Sequence, residues 1–575
     1  MLRNKSRSRV RWCGPPFALA LSAFSSFHAF AADPPQGGQP GVDIQQRQDE
    51  QQRRVRAQAN ERPDELQATR SNSSIDLATL TRDKPCFQIN EVHLSGNAFD
   101  WLPRFLAPVR GQCIGKSALK QIQDAANNEL IRRGYITSRV LMPQQNLGAG
   151  LLTLQVVPGR VGQIRVDSSV ASAIGTSRPV IPTHPGEIYN QRDIDQAIES
   201  IRRLAGQADT SVDLVPGNEA GVTDIVVKPA PAKRWHVTLG ADNYGMNTTG
   251  RTELNGSLTI DSPFFLYDQL TLSGNTSAHY AGRDRGAHSD SLNWNIPVGY
   301  ASLFASASQS HYVQTSPGFG EPLINTGDTT EVDSGFSFVP FRNASTRTGV
   351  SVSIFHKMTT AELNGEALNV QHRDVTGFEF DLSATHYMGR AVLSGSIGWR
   401  GTLGGLTKDP GLVLDDPAWD GRERMWVGNL QLSTPVAGLP IQYVGSMNFQ
   451  RANSRLVPND DFVIGTPYSV RGFDGQYTLA AESGWAWRNE LNTSLWNQQP
   501  FVALDAGRVY GPNTRYLTGT ELIGTALGVR GRLPWGSGTW LGAFNYQISA
   551  GWALKRPDAM PGGHPNVMAQ LSADL

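Results

Sequence analysis

An antiparallel membrane β-barrel of about 16 strands, preceded by two small α/β domains and a polar N-terminal helix, is the fold class this sequence predicts. Three observations predict it. From about Trp235 onward helical periodicity disappears, and alternating segments of roughly 10–14 residues repeat between Gly, Asn, Asp and Pro clusters. Ahead of that stretch, a pattern of strand, helix and two closing strands occurs twice. No apolar run reaches the roughly 18–20 residues of a membrane helix, which leaves spanning by strands open, since their apolar residues come every second position.

The chain has 575 residues, zero formal net charge and an ordinary 39% of hydrophobic residues. A neutral chain carries no electrostatic footprint for nucleic acid. Residues 1–31 read as a secretory signal peptide: Arg3, Lys5, Arg7, Arg9 and Arg11 are basic, Phe17 to Phe30 is a short apolar core, and Ala29-Phe30-Ala31 is an A-x-A cleavage site. Of three cysteines, Cys13 leaves with that peptide. Cys86 and Cys113 remain in an oxidising compartment, so a disulfide between them is the simplest count. The stretch offers too few ligands for a metal site.

Residues 42–60 read VDIQQRQDEQQRRVRAQAN, good helix formers without Gly or Pro. The helix is polar nearly all round, so it is exposed, unstructured, or lodged in a water-filled space. Residues 61–84 are polar and pattern-poor, a linker.

The first α/β domain spans 85–159. Phe87 to Leu94 alternates as a strand and ends at Gly96-Asn97; 102–109 reads as a short helix. Ser117–Arg133 has Leu119, Ile122, Ala126, Leu130 and Ile131 at helical spacing, and 140–142 and 151–157 are strands. The second domain, 160–231, repeats the design with a strand at 161–166, a helix at 192–204, and strands at 211–215 and 222–228. Neither carries a catalytic constellation, a phosphate loop or paired metal ligands, and no cofactor is expected.

The barrel occupies 232–575. In 540–552, Trp540, Phe544, Tyr546, Ile548 and Trp552 share one face, with Asn545, Gln547, Ser549 and Gly551 on the other. Aromatics at both ends of an apolar face match the two interfacial girdles of a bilayer. Residues 391–400 repeat the design, and 567–575 set Val567, Ala569, Leu571, Ala573 and Leu575 on one face. About 20 residues per strand and connection give about 16 strands, and an even number closes a barrel.

One stretch carries the chemistry. Val470-Arg471-Gly472-Phe473, flanked by Pro467 and Gly475, is turn chemistry and belongs on a loop. Segments around 479–491 and 501–510 follow as strands; in the second, Ala503, Asp505 and Gly507 share a face. A carboxylate on a strand face lined by small residues needs a partner once it lies inside a folded wall, and Arg471 is nearby. An exposed RG loop and a solvated Asp are the plainer alternative.

Taken together, Cys86-Phe87-x-Ile89 with Leu94-x-Gly96, the run ELIRRGYITSRVLMPQQ at 129–145, VRGF at 470–473 and ESGWAWRNEL at 482–491 resemble the outer-membrane transporters of two-partner secretion, within the BamA-like assembly superfamily. The resemblance covers 42–575. It implies a plug helix at 42–60 inside the lumen, two POTRA domains at 85–159 and 160–231, and a 16-stranded barrel. It also implies that the VRGF loop folds back into the barrel, where Arg471 meets Asp505 of an F-x-D-x-G wall motif that ends at Gly507. Here the aromatic position of that motif is Ala503, a departure.

The resemblance implies a passive export pore, not an enzyme, set in outer-membrane lipid with its POTRA domains in the periplasm. Its cargo would be a large secreted β-helical protein: a haemolysin, an adhesin or a contact-inhibition toxin. An assembly factor that inserts other barrels would carry more POTRA domains. A plain porin or uptake channel would lack 87–228, and a secreted enzyme would need a triad or metal cluster.

Overall fold

The computed structural model describes residues 75–575, apart from 82, 168–174, 176–178, 231–232, 279–283, 317–320, 414–415, 417–418, 537–541 and 563. The expected signal peptide, the polar helix 42–60, most of the linker and Trp540 lie outside the described residues.

In the first α/β unit, helix Lys116–Arg132 buries Ala118, Ile122, Ala126 and Leu130 against a three-stranded sheet. Strand Leu151–Val157 is central; Glu91–Ser95 runs parallel to it and Arg139–Leu141 antiparallel. The strand expected as one piece from Phe87 is two. Phe87–Gln88 pairs with Cys113–Ile114, and the chain then crosses to the main sheet, where the N–H groups of Asn90 and Glu91 donate to the Gly150 carbonyl. Cys86 and Cys113 are disulfide-bonded with Cα atoms 5.3 Å apart. The end of the expected linker also differs from a free tether. Leu77 and Leu80 are buried in this core, and Gln112 donates to the Leu77 carbonyl at 2.8 Å. Two isolated leucines are too short a pattern to show periodicity.

The second unit has the same topology: strand Val222–Lys228 is central, Arg160–Val166 parallel and Ser211–Pro216 antiparallel. Its helix, Gln191–Arg202, opens on an Asn190 cap that accepts from the Arg192 N–H. Half-buried carboxylates of this helix meet the barrel rim. Tyr300 donates to Asp193 at 2.8 Å, Arg342 pairs with Glu199 at 2.6 Å, and Arg347 pairs with the same carboxylate at 3.3 Å. Burial pushes the Asp193 carboxyl up to about 6. Tyr267, from the turn after the second barrel strand, is fully buried among Val180, Ala197, Ile201, Leu204 and Val227.

Sixteen antiparallel strands close the barrel, from Trp235–Asp242 to Asn566–Asp574. The first and last strands pair over Thr238–Asp242 with Gln570–Asp574. The turns that touch the second α/β unit define one end; the long loops 403–423 and 453–482 lie at the other. The outer face is apolar at every second residue, as in Phe544, Ile548 and Trp552 of one strand and Val567, Leu571 and Leu575 of the last, all exposed. That alternation suits lipid outside and water inside.

Candidate functional site: an inward loop held on the barrel wall

Loop 453–482 leaves the eleventh strand, Gln442–Ala452, and returns into the twelfth, Ser483–Asn492. The strand expected over 479–491 breaks within it. Leu479–Ala481 pairs with Phe462–Ile464 inside the loop, and only Ser483 onward joins the wall. Glu482 marks the break. Its carbonyl accepts from Gln450, and its carboxylate accepts from Arg455 and from the Asn513 N–H.

The loop turns into the lumen because its apolar residues find a core there. Val470 and Phe473 pack with Ile464, Leu479, Ala486, Val509 and Leu522. Close approach needs glycine. Gly472 has φ +107°, and a Cβ there would lie 2.5 Å from the Trp552 carbonyl oxygen. On the wall, a Cβ at Gly524 would lie 2.0 Å from the Arg471 carbonyl oxygen, and one at Gly551 2.8 Å from Gly472 Cα. Gly507 lies beneath Ile464 and Val470.

This packing delivers Arg471 to Asp505, on the lumenal face of the thirteenth strand, Gln498–Tyr510. Nε donates to Oδ2 at 2.7 Å and Nη2 to Oδ1 at 2.9 Å, a two-point fork, and the Arg471 main-chain N–H adds a third bond at 2.9 Å. Asp505 is fully buried, so its charge is met by hydrogen bonds rather than water.

Sequence reasoning missed the next layer. Nη1 of Arg471 donates to Glu490 at 2.7 Å, and Arg530 donates to the other oxygen of Glu490 at 2.6 Å. With Arg488 Nε 3.9 Å from Asp505, three cations and two anions form one network across the twelfth, thirteenth and fourteenth strands. Period-two alternation could have found Glu490, since it lies on the face opposite Trp487 and Leu491. The departure at Ala503 has a structural counterpart. Ala503 is buried against Phe501, two residues earlier on the same face, and the Phe501 ring lies 5.9 Å from the Arg471 guanidinium and 5.4 Å from that of Arg530. Among the described residues, no group of three His, Cys, Asp or Glu side chains could hold a metal ion.

Comparison with known proteins identifies the fold and the family. The haemolysin secretion/activation protein family ShlB/FhaC/HecB matches residues 221–531, and the ShlB-type POTRA domain matches 87–159. The outer membrane transporter CdiB-2 of Burkholderia pseudomallei is 30% identical over 560 residues, which cover 93% of this chain and 94% of that protein. The hemolysin transporter protein ShlB of Serratia marcescens is 25% identical over 442 residues, 75% of this chain and 77% of that one. The solved structure of CdiB from Escherichia coli superposes with a TM-score of 0.79 at 27% identity, covering 93% of this chain and 99% of that one. These are transporters rather than barrel-assembly factors. The chain belongs to the haemolysin secretion/activation protein family ShlB/FhaC/HecB, the outer-membrane transporters of two-partner secretion, with POTRA domains on the periplasmic side.

Proposed function

We propose that this transporter exports a large secreted β-helical protein, of the haemolysin, adhesin or contact-inhibition toxin kind, and that the loop carrying Arg471 controls the path. The observation that carries the reading is a loop folded into the lumen and fixed to the wall by a buried ion pair. A route blocked by a loop whose tip is held by ion pairs can be opened without unfolding the barrel. Relatives named as hemolysin transporters support the cargo class. The test is deletion of this chain in a cell that also makes a large exported β-helical protein. Loss of that protein from the surface is expected; its normal arrival would overturn the reading.

Recognition of the unfolded cargo falls to the α/β units. Glu91–Ser95 and Ser211–Pro216 are outer strands of their sheets, and an extended segment can add to such an edge. Photo-crosslinkers along these strands in the full chain should capture the cargo's N-terminal domain. Capture only at barrel positions would place recognition elsewhere. Residues 42–60 we assign as the plug, because an all-polar helix suits a water-filled lumen. Their deletion should raise single-channel conductance in planar bilayers.

A further inference from the structure

The inward loop is fastened at a second place, at its root. Asp460 closes the short turn Pro458–Asp460, at the outer end of the barrel. Its Oδ1 accepts from Lys357 Nζ at 3.0 Å, and its Oδ2 accepts from Arg373 Nη1. Nη2 of Arg373 donates to Glu423 at 2.8 Å, and the other oxygen of Glu423 accepts from the Val457 N–H at 3.1 Å. Arg373 Nε donates to the Pro410 carbonyl at 3.2 Å. One amide joins both ends of the loop: Gln450 Nε2 donates to the carbonyls of Asp460, at 2.8 Å, and Glu482, at 3.1 Å.

Lys357 and Arg373 are each 2% exposed, Glu423 4% and Asp460 12%. Arg400 lines the same enclosed site, so the two carboxylates are met by cations from several strands rather than by water. Its strands differ from those that hold the tip. Lys357 lies on the seventh strand, Thr346–Leu363, and Arg373 on the eighth, Arg373–Met388. Glu423 ends loop 403–423. The root is therefore independent of Arg471 and binds two surface loops together.

We propose that Asp460 is a positioning residue for transport, the fulcrum of the inward loop. When Arg471 leaves Asp505, the tip swings while the root holds, so the loop is redirected rather than expelled. The part played in transport rests on the export reading; the anchoring of the root does not.

The test uses full-length protein in intact cells carrying Val457→Cys, a buried position beside Glu423. In that background, Asp460→Asn should speed labelling by a membrane-impermeant maleimide at least about tenfold, because a buried carboxylate that meets two cations is lost. Arg471→Ala should leave labelling slow. Secretion should fall about tenfold in Asp460→Asn while the cargo still cross-links normally to the α/β units. Should Asp460→Asn fail to insert, Lys357→Gln and Lys357→Arg decide: the first should lose secretion and the second restore it. Slow labelling in Asp460→Asn overturns the anchor, and normal secretion with fast labelling overturns the positioning role. Equal secretion by the two Lys357 variants also overturns it.

Discussion

Asp505 receives three hydrogen bonds from Arg471, and one of them comes from the main chain. The pair thus fixes the path of the backbone as well as the side chain. Beyond that main-chain bond, Arg471→Ala leaves the buried Asp505 with only the Asn489 N–H at 3.1 Å and Arg488 at 3.9 Å, at a cost to loop docking of about 3 kcal/mol. Arg471→Lys keeps the main-chain bond but cannot serve Asp505 and Glu490 together. Secretion should fall in the order wild type, Lys, Ala, with the barrel still inserted. In a double-mutant cycle with Asp505→Asn, losses should be well short of additive, since both changes remove one contact. Additive losses would separate the two residues.

Gly524 offers a test that touches no charge. A side chain there collides with the Arg471 carbonyl oxygen. Gly524→Val should push the tip off the wall while the strand keeps its ladder, since β-branched residues suit strands. Conductance should rise and secretion fall. Wild-type conductance in this variant would mean that the docked loop does not narrow the path.

The disulfide ties the small ladder at Phe87–Gln88 to the strand before helix Lys116–Arg132. Replacing Cys86 and Cys113 by Ser should destabilise the first α/β unit by about 3 kcal/mol. Denaturant unfolding of that unit in the full chain, followed by a local probe, should show a lower midpoint. An unchanged midpoint would remove any stabilising role for the bond.

Docking of the second unit should depend on pH. Burial raises the Asp193 carboxyl from an ordinary 3.8 to about 6, with Glu187 adding to the rise and the Tyr300 hydroxyl opposing it. Below the ordinary value both docked and undocked forms hold the proton, and the contact is at full strength. As pH rises from about 4 to about 6 the undocked form ionises while the docked form keeps its proton, and docking weakens by up to about 3 kcal/mol. Amide exchange along Gln191–Arg202, corrected for intrinsic rates, should quicken across that window. Asp193→Asn, which keeps an acceptor for Tyr300, should flatten the profile.

The alternation of Trp, Leu and Val against Ser, Asn and Gly was enough to read the barrel, because lipid and water on opposite faces force period two. Helical spacing likewise exposed both long helices of the α/β units to within a residue or two. The charged network was half legible. Arg471 and Asp505 stand out because a loop arginine and a strand carboxylate are costly alone. Glu490 and Arg530 sit in ordinary strands, and only the register that sets Arg488 opposite Asp505 brings them near. Asp460 had no signal, since its cations come from strands about 90–100 residues earlier and no local pattern encodes such pairing.

Tyr267 sets an order of manufacture. It belongs to the barrel in sequence, yet it completes the core of the second periplasmic unit, buried with Ile181, Ile201 and Leu204. A ribosome and an export channel deliver that unit first, and its hollow then stands open until the second and third barrel strands exist. Its core is complete only once the turn between those two strands has reached it. Tyr267→Ala would leave that hollow permanently, at about 3–5 kcal/mol. The chain thus couples its two halves: the periplasmic unit borrows its last core side chain from the turn that joins the second and third barrel strands.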